Sequence, residues 1–316
     1  MALKLDSRPT YTICQGCPAS GKSTWAKQEQ DRTKVYGAVT VGIVNRDSVR
    51  RHLFNFGQWS EYKFTKSKED RVTKALDETL KSLAAAKMSV IDDNTNLNTK
   101  YLAKTKEKAE SLGYRVVFKQ FFDVPLHKLI ERNISREFSV PENVIHEMFR
   151  KQLEIQGRII ERTEGLPDCV IVDVDGTIAY MGKGESWGRG PFEWDKVLND
   201  KPKFNVISMV QDLWVFNKVI FLTGRDGVAL EDTKKWINTH FFNPMGITDG
   251  FTSGEGEIFI RAVGDMRPDC EIKEELLREK ILPRYNVRLC IDDRQQMVDH
   301  YRALGLECWQ VADGRF

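Results

Sequence analysis

Residues 16–23, GCPASGKS, match the pattern G-x-x-x-x-G-K-S/T of a phosphate-binding loop. An apolar run at 10–15 precedes the loop and predicts a β-strand, and residues 22–32 after it predict a helix. A glycine-rich turn in this setting wraps phosphate oxygens with backbone N–H groups at a helix N-terminus. Because the loop needs both flanking elements, the motif predicts a parallel α/β fold for this part of the chain.

The rest of the sequence continues the alternation of strands and helices, which predicts an α/β protein with two domains. In the first half, strands are predicted at 10–15, 39–45, 88–92 and 115–122, with helices near 22–32, 66–86, 99–112, 125–135 and 141–163. In the second half, strands are predicted at 169–172, 217–222, 287–291 and 307–311, with helices near 202–214, 228–240, 270–281 and 295–304. The break GLPD at 165–168 separates domains 1–164 and 165–316, each expected to be a mostly parallel sheet flanked by helices.

Composition and charge narrow the class of protein. Hydrophobic residues make up 41% and charged residues 30% of the chain, as in globular proteins. The sequence contains no apolar run of about 18 residues, so no membrane span is expected, and the first ten residues lack the apolar core of a secretion signal. Residues 1–164 carry 29 Lys and Arg against 21 Asp and Glu, whereas residues 165–316 carry 19 against 25. The basic first half suits a polyanionic substrate, with ordinary surface variation as the alternative.

Six cysteines are scattered along the chain, and Cys14 and Cys17 have the C-x-x-C spacing of a redox motif. This pair overlaps the phosphate-binding loop, which explains the segment better. The other cysteines are expected to be small core residues of a protein in a reducing cytosol, so a cytoplasmic location is predicted.

Two side chains of the loop have specific expected roles. Lys22 is expected to reach the β- and γ-phosphates of ATP, and the Ser23 hydroxyl is expected to bind Mg²⁺. The candidate nucleotide-binding residues of this segment are Gly16, Ser20, Gly21, Lys22, Ser23 and Thr24. A coincidental glycine turn is the alternative.

Polar clusters follow the next two predicted strands. Asp47 comes shortly after the apolar run ending at Val44, where the carboxyl end of a strand faces the ligand crevice of an open α/β sheet. It is a candidate general base for an acceptor hydroxyl, with a helix N-cap as the alternative. Asp93 and Asn94 follow the strand at 88–92 and are candidate substrate-binding residues, with a turn rich in Asx residues as the alternative.

A basic pair lies late in the first half. Arg132 and Arg136 are spaced i and i+4, which would place them on one helix face. There they could close over a transferring phosphate, so they are candidate catalytic and nucleotide-binding residues. A solvated basic face is the alternative.

The second half opens with the motif Asp173-Val-Asp175-Gly-Thr177 after the apolar run CVIV. This D-x-D-G-T signature is typical of haloacid-dehalogenase-type phosphotransferases. Asp173 is expected to attack phosphorus and form an aspartyl-phosphate, and Asp175 to protonate the leaving alkoxide and then activate water. A calcium-binding loop would need a twelve-residue loop ending in Glu, which is not present.

Further polar residues support the second site in the expected order. Thr223, Gly224 and Arg225 follow the predicted strand KVIFL, and Thr223 is placed to hydrogen-bond a phosphoryl group. Lys273 lies in a predicted helix and can neutralise phosphate charge. Asp292 and Asp293 follow the strand VRLC and supply acids for Mg²⁺, together with Asp173 and Asp175.

These motifs together resemble the phage-type bifunctional polynucleotide 5′-kinase/3′-phosphatase family over essentially the whole chain. The resemblance is carried by GCPASGKSTWA, NRDSVR, DNTNLN, RNISR, DVDGT, RGPFEWD, TGRD, DMRPDCEIKEE, IDDR and ECWQVADGRF. It implies a P-loop kinase domain at 1–164 and a haloacid-dehalogenase-type phosphatase domain at 165–316. It also implies an enzyme that acts on RNA and DNA ends, forms homotetramers and works with a nucleic-acid ligase, in the host cytoplasm if it is phage-encoded.

The resemblance also implies individual roles. In the first domain, Asp47 matches the general base, Arg50 matches an arginine that contacts the acceptor phosphate, and Arg132 and Arg136 match lid arginines at the transferring phosphate. In the second domain, the matches are Asp173 and Asp175 as nucleophile and acid/base, Arg189, Thr223, Arg225 and Lys273 at phosphate-binding positions, Asp292 and Asp293 near Mg²⁺, and Asp269 as a supporting acid.

One position departs from the family pattern. Asn94 stands where the family has an aspartate that supports the acceptor-site arginine, so the charged part of that hydrogen bond is lost. The neighbouring Asp93 is a candidate replacement. Two other functions are open alternatives: a small-molecule kinase fused to a metabolite phosphatase, and a nucleic-acid end-binding adaptor with vestigial sites.

Overall fold

The computed structural model describes residues 7–34, 38–182 and 184–314. The N-terminal segment in which no secretion signal is predicted includes residues 1–6, and the family motif ECWQVADGRF includes residues 315–316. These two parts of the predictions lie outside the described residues. The chain divides into two compact units, one up to Arg158 and one from Ile159 onwards.

The first unit is built on four parallel strands in the order β2-β3-β1-β4. The strands are β1 (Thr10–Gln15), β2 (Val41–Val44), β3 (Ser89–Asp92) and β4 (Arg115–Gln120). The helices are α1 (Lys22–Arg32), α2 (Arg46–Phe54), α3 (Lys66–Ala85), α4 (Thr99–Ser111), α5 (Leu126–Ile134) and α6 (Glu142–Ile155).

Successive residues of β1 point to opposite faces of this sheet. Ile13 packs with Leu80 of α3 and Ala109 of α4, whereas Cys14 packs with Ala26 of α1. The sheet is therefore covered by helices on both faces, as a parallel sheet requires. This arrangement places the loops after β1, β2 and β3 together at the carboxyl edge of the sheet.

The second unit contains a five-stranded parallel sheet in the order β11-β10-β5-β8-β9 and a small antiparallel pair, β6-β7. The strands are β5 (Asp168–Val172), β6 (Ala179–Tyr180), β7 (Lys201–Pro202), β8 (Lys218–Asp226), β9 (Gly256–Arg261), β10 (Asn286–Arg294) and β11 (Cys308–Gly314). The helices are α7 (Phe204–Trp214), α8 (Leu230–Ile237), α9 (Asp269–Leu276) and α10 (Gln295–Ala303).

The core of the second unit forms around the central strands β5 and β8. Val172 and Phe221 of these strands are buried against Ile207 of α7 and Trp236 of α8. β5, β8 and β10 are adjacent and parallel, so the polar residues at their carboxyl ends meet at one edge.

The predicted α/β class with two mostly parallel sheets is confirmed. Four of these elements were not predicted: the two-residue strands β6 (Ala179–Tyr180) and β7 (Lys201–Pro202), β9 (Gly256–Arg261), which lies among turn-rich residues, and α2 (Arg46–Phe54), which is short and polar. The helix predicted over 141–163 is wrong beyond Ile155. The backbone N–H of Ile160 instead donates to the carbonyl of Leu304, so the segment 159–164, assigned from sequence to the first domain, is bonded to the second unit.

In the part of the chain that the structure describes, none of the helices combines the length and apolarity that crossing a bilayer requires.

Candidate active sites

The loop between β1 and α1 adopts a shape that depends on its glycines. Gly16 has φ 156°, and a Cβ there would lie 2.8 Å from the carbonyl oxygen of Phe121. Gly21, which caps α1, lies in the left-handed region at φ 97°. Ala19 also has a positive φ, of 64°, in a conformation that costs an L-residue about 1 kcal/mol or more. Positive-φ residues of this kind are found in backbone turns whose successive N–H groups line an anion-binding concavity.

Lys22 is buried within this loop. Its Nζ donates to the carbonyls of Gly16 (3.0 Å) and Cys17 (2.6 Å) and to Ser20 Oγ (3.3 Å). Burial lowers the pKa of Lys22 to about 8, although the carboxylate of Asp93 opposes this shift. The ammonium is thus fixed inside the loop, where phosphate oxygens would stabilise its charge.

Asp93 lies at the end of β3 opposite the loop. Its backbone N–H donates to the carbonyl of Val44 (2.9 Å), and its Oδ1 is buried without a hydrogen-bond partner among the described residues. Burial raises the pKa of Asp93, and hydrogen bonding from Ser23 and the charge of Lys22 oppose the shift. An unpartnered buried carboxylate oxygen beside the Ser23 hydroxyl is a donor set that fits Mg²⁺. This pairing was not predicted, because the sequence suggested a substrate contact for Asp93.

Asp47 is the second residue of α2. The N-cap is Asn45, whose Oδ1 accepts from the N–H of Ser48 (2.9 Å), so the N-cap interpretation of Asp47 is wrong. Asp47 Oδ1 instead accepts from Arg50 Nη1 (2.6 Å), and its side chain is 48% exposed. Because this bond uses one oxygen, the other remains available at the carboxyl edge of the sheet.

Arg50 is held mainly by Glu69, a residue that sequence reasoning missed. Arg50 Nε and Nη2 donate to Glu69 Oε1 (2.9 Å) and Oε2 (2.7 Å). Glu69 also accepts from Arg46 Nη2 (3.0 Å) and the Tyr62 hydroxyl (3.0 Å). These donors, Arg50 first, lower the pKa of Glu69 to about 2 despite partial burial. The only signal in the sequence is an acid four residues into α3, where charge is common at a helix start.

Asn94 takes a different position from the one its family match suggests. Its Nδ2 donates to Asp92 Oδ1 (2.6 Å), and its Oδ1 accepts from the backbone N–H of Arg46 (2.9 Å). Asp92 is buried and also accepts from Asn96 Nδ2 (3.1 Å) and the Tyr11 hydroxyl (3.0 Å). Asn94 therefore supports the start of α2, and Glu69 supplies the carboxylate that faces Arg50.

Arg132 and Arg136 do not share a helix face. The i, i+4 interpretation is wrong because α5 ends at Ile134, and the N–H of Arg136 donates to the carbonyl of Asn133 in the following turn. Both arginines are exposed. The charge of Arg136 still contributes, after burial, to the lowered pKa of Lys22, so this side chain lies near the phosphate-binding loop.

The redox alternative for the C-x-x-C pair is not supported. All six cysteines are free and buried, as expected for core residues. Burial raises the pKa of both Cys14 and Cys17 to about 12. A thiol of that kind is almost entirely protonated at neutral pH and is a poor nucleophile.

The second site forms where β5 and β10 end side by side. Asp173 follows β5, and its carboxylate lies within 4.8 Å of those of Asp292 and Asp293, which close β10. All three are buried. Burial raises the pKa of Asp173, with the neighbouring carboxylates adding to the shift and Lys273 opposing it. Three buried carboxylates, two of which contact the ammonium of Lys273, fit a divalent ion such as Mg²⁺.

Lys273 is the buried cation of this cluster. Its Nζ lies 2.7 Å from Asp173 Oδ1, 3.0 Å from Asp292 Oδ2 and 3.5 Å from Asp269 Oδ2. The three carboxylates outweigh burial and raise the pKa of Lys273, which therefore stays charged. Gly224 makes this approach possible, because a Cβ there would lie 2.0 Å from Asp269 Oδ1.

The carboxylate of Asp175 lies outside the three-carboxylate cluster, so the metal role predicted for this side chain is not supported. Its Oδ1 accepts from Arg189 Nη2 (2.7 Å) and from Arg225 Nε (3.0 Å) and Nη2 (2.6 Å). All three bonds fall on Oδ1, which leaves Oδ2 for proton transfer. Both arginines are buried and are held by Asp175 rather than open to solvent.

Asp200 is a second residue that sequence reasoning missed. It accepts from Arg189 Nε (2.7 Å) and Nη2 (2.9 Å) and from Arg225 Nη2 (2.6 Å). Its side chain is 1% exposed, and its carbonyl accepts from Trp236 Nε1 (2.7 Å). Asp200 thereby fixes the two arginines that hold Asp175. No local motif marks this aspartate, because its partners are distant in sequence.

Two threonines complete the second site. Thr177 Oγ1 donates to Asp293 Oδ1 (3.2 Å), and the buried Thr223 Oγ1 accepts from the N–H of Arg225 (3.3 Å). Gly176 has φ 80°, and a Cβ there would lie 2.1 Å from Asp293 Oδ2. The turn after Asp175 therefore requires glycine.

Comparisons with known proteins match both halves. Residues 167–316 match the family model of the polynucleotide kinase PNKP phosphatase domain, and residues 12–155 match the model of the AAA domain.

One curated relative and two solved structures are similar over nearly the whole chain. A protein of Autographa californica nuclear polyhedrosis virus, named as a bifunctional polynucleotide kinase/RNA ligase, is 26% identical over 96% of this chain. This chain spans 42% of the length of that relative. A chain of the Pnkp1/Rnl/Hen1 RNA repair complex is 26% identical with a TM-score of 0.42 and 99% coverage of both chains. A second structure of the Pnkp1/Rnl/Hen1 complex is 27% identical with a TM-score of 0.41 and full coverage of both chains.

The chain thus joins a segment that matches the model of the AAA domain to a segment that matches the phosphatase-domain model of polynucleotide kinase PNKP, which is the combination of domains that its motifs indicated.

Proposed function

We propose that this protein heals broken nucleic-acid ends. Its first domain would transfer the γ-phosphate of ATP to a 5′-hydroxyl, and its second domain would remove a 3′-phosphate or a 2′,3′-cyclic phosphate. The observation that carries the proposal is the pairing of Asp47 with Arg50 at the carboxyl edge of the sheet that also holds the phosphate-binding loop. An arginine beside the general base can bind an acceptor phosphate through charge-assisted hydrogen bonds, and the phosphate next to a terminal 5′-hydroxyl is such a group.

In the kinase reaction, the 5′-oxygen of the acceptor attacks the γ-phosphorus and ADP leaves. The free carboxylate oxygen of Asp47 accepts the proton of the 5′-hydroxyl during this attack. Arg50 binds the phosphate that follows the terminal nucleoside, which orients the hydroxyl. Lys22, Arg132 and Arg136 stabilise the charge of the phosphoryl group in flight. Ser23 and Asp93 would hold Mg²⁺, which offsets phosphate charge when bound.

In the phosphatase reaction, Asp173 attacks phosphorus through its second oxygen and forms an aspartyl-phosphate. Asp175 donates a proton from Oδ2 to the leaving 3′-oxygen, then takes a proton from the water that releases inorganic phosphate and regenerates Asp173. Lys273 and Thr223 bind the phosphoryl oxygens. Asp173, Asp292 and Asp293 would hold Mg²⁺, which supplies further positive charge there.

The remaining features follow from resemblance. We propose a homotetramer, which sedimentation of the purified protein tests, and a functional partnership with a nucleic-acid ligase, which the name of the viral relative supports. The six free, buried cysteines support a cytoplasmic location.

The proposed substrates can be tested directly. Purified protein is incubated with γ-labelled ATP and either a 5′-hydroxyl oligonucleotide, RNA or DNA, or a panel of sugars and nucleosides. Labelling of the oligonucleotides supports the proposal, and labelling confined to the small molecules contradicts it. Release of phosphate from 3′-phosphate oligonucleotides tests the second domain in the same way.

A further inference from the structure

Six aromatic residues form a cluster beside Arg50 that the proposed mechanism does not use. The cluster consists of Phe54, Phe56, Trp59, Tyr62, Phe64 and Phe138, whose neighbouring ring centroids lie 4.9–6.4 Å apart. The Tyr62 hydroxyl donates to Glu69 (3.0 Å), the residue that holds Arg50. The cluster is therefore joined directly to the acceptor side of the kinase site.

The members of the cluster differ in exposure. Phe56 and Tyr62 are 9% and 4% exposed and form a small core under the loop between α2 and α3. Phe64 is 62% exposed although it stacks on Trp59 at 6.2 Å with an interplanar angle of 17°. The core explains the buried rings, whereas more than half of Phe64 remains exposed to solvent despite its contacts with Trp59 and Tyr62.

Cations surround the exposed part of the cluster. The guanidinium carbon of Arg50 lies 5.4 Å from the centre of the Phe64 ring, and that of Arg51 lies 4.3 Å from the Phe138 ring. The exposed surface of α3 that begins two residues after Phe64 in the sequence carries Lys66, Ser67, Asp70, Arg71 and Lys74, three cations and one acid. An exposed aromatic ring together with a basic surface is a combination with which proteins bind single-stranded nucleic acid.

We propose that Phe64, backed by the aromatic cluster, stacks on the nucleobases next to the 5′-hydroxyl while the basic surface of α3 follows the phosphates of the same strand. The proposal rests on the proposed kinase function and assigns its acceptor as a single-stranded oligonucleotide rather than a free nucleoside phosphate. Stacking is tolerant of sequence because every base offers a π-face. The site would therefore select for the presence of bases, not for their identity.

The test is a binding cycle with two oligonucleotides and two proteins, measured by fluorescence anisotropy without ATP. Both oligonucleotides carry a 5′-hydroxyl, and one lacks the bases of its first three nucleotides. We expect the wild-type protein to bind the natural oligonucleotide about tenfold more tightly than the abasic one. In Phe64→Ala this ratio falls to about one, while affinity for the abasic oligonucleotide is unchanged.

Two control variants separate stacking from other effects. Phe64→Leu keeps apolar bulk without a π-face and should behave like Phe64→Ala. Phe216→Ala removes a ring that is 84% exposed in the second unit and should keep the wild-type ratio. Equal wild-type binding of both oligonucleotides, or an unchanged ratio in Phe64→Ala, would overturn the proposal.

Phosphoryl transfer to the same oligonucleotides distinguishes failure of the kinase function from failure of base stacking at Phe64. A base-dependent binding ratio without transfer contradicts the kinase function but supports stacking at this cluster. Transfer that is equally efficient with natural and abasic oligonucleotides supports the kinase and overturns the stacking proposal.

Discussion

Glu69→Gln removes the charge that positions Arg50 while keeping the size of the side chain. The wild-type carboxylate accepts two bonds from Arg50 and one each from Arg46 and Tyr62. Its pKa falls from 4.5 to about 2, and each pKa unit corresponds to about 1.36 kcal/mol. The contribution of the Glu69 charge to the free energy of unfolding is therefore at most roughly 3 kcal/mol. Because the Glu69 side chain is 26% exposed, solvent screening reduces this contribution to about 1–2 kcal/mol.

The glutamine amide also presents its N–H₂ group to the Arg50 guanidinium, so hydrogen-bond donors face each other where a donor faced an acceptor. We expect Arg50 to lose its orientation, and kcat/KM for a 5′-hydroxyl oligonucleotide to fall by roughly 10- to 100-fold, mainly through KM. Phosphatase activity should be unchanged. Steady-state kinetics of both reactions measure this, and Glu78→Gln, which removes an exposed carboxylate paired with Lys81 on the same helix, is the matched control.

The stability effect of Glu69 has a defined pH dependence. Because the folded-state pKa is below the unfolded value, the stabilisation is fully present above about pH 4.5 and is lost as pH falls toward about 2. The difference in unfolding free energy between wild type and Glu69→Gln should therefore shrink over that range. If Glu69→Gln and the control Glu78→Gln both had the same kinase kinetics as the wild-type protein, the role of Glu69 in positioning Arg50 would be refuted.

Three further predictions concern stability and metal binding. Asp200→Asn should lower phosphatase kcat, and it should lower the free energy of unfolding by about 3 kcal/mol because it leaves buried arginines partly unpaired. Denaturant unfolding measures the loss of stability, and a stability equal to that of wild type would contradict this prediction. Ala19→Gly should raise stability by about 0.5–1 kcal/mol by relieving the positive φ; an unchanged midpoint in thermal unfolding argues against strain there. Mg²⁺ should raise the midpoint of thermal unfolding of the wild-type protein and should raise that of Asp292→Asn much less. An equal shift in the two proteins would mean that the ion binds elsewhere.

The elements that sequence predicts well are those set by local pattern. The strand Thr10–Gln15 and the helix Lys22–Arg32 have the predicted bounds, because an apolar run and a glycine-rich loop fix both ends. The predicted helix at 141–163 runs too far, because contacts with Leu304, distant in sequence, determine the path of its last residues. β9 was missed because its pairing with β8, rather than its composition, makes it a strand.

The site residues also divide into those that local motifs predict and those that only contacts distant in sequence reveal. Motif residues such as Asp173 and Asp292 lie close together because the strand ends of a parallel sheet converge, and Lys273 reaches both of them from α9. Glu69 and Asp200 were missed because each acts through arginines that lie 11 to 25 residues away in sequence. Sequence spacing also assigned Asp175 a metal role, whereas two buried arginines hold its carboxylate.

In the proposed function, one chain carries two chemically independent phosphate sites. The most direct measurement is to assay Asp47→Asn and Asp173→Asn for both reactions, with folding checked by circular dichroism. We predict that Asp47→Asn loses 5′-phosphorylation and keeps 3′-phosphate release, and that Asp173→Asn shows the reverse. If either variant stays folded and loses both activities, or keeps the one assigned to it, the two-site account is contradicted.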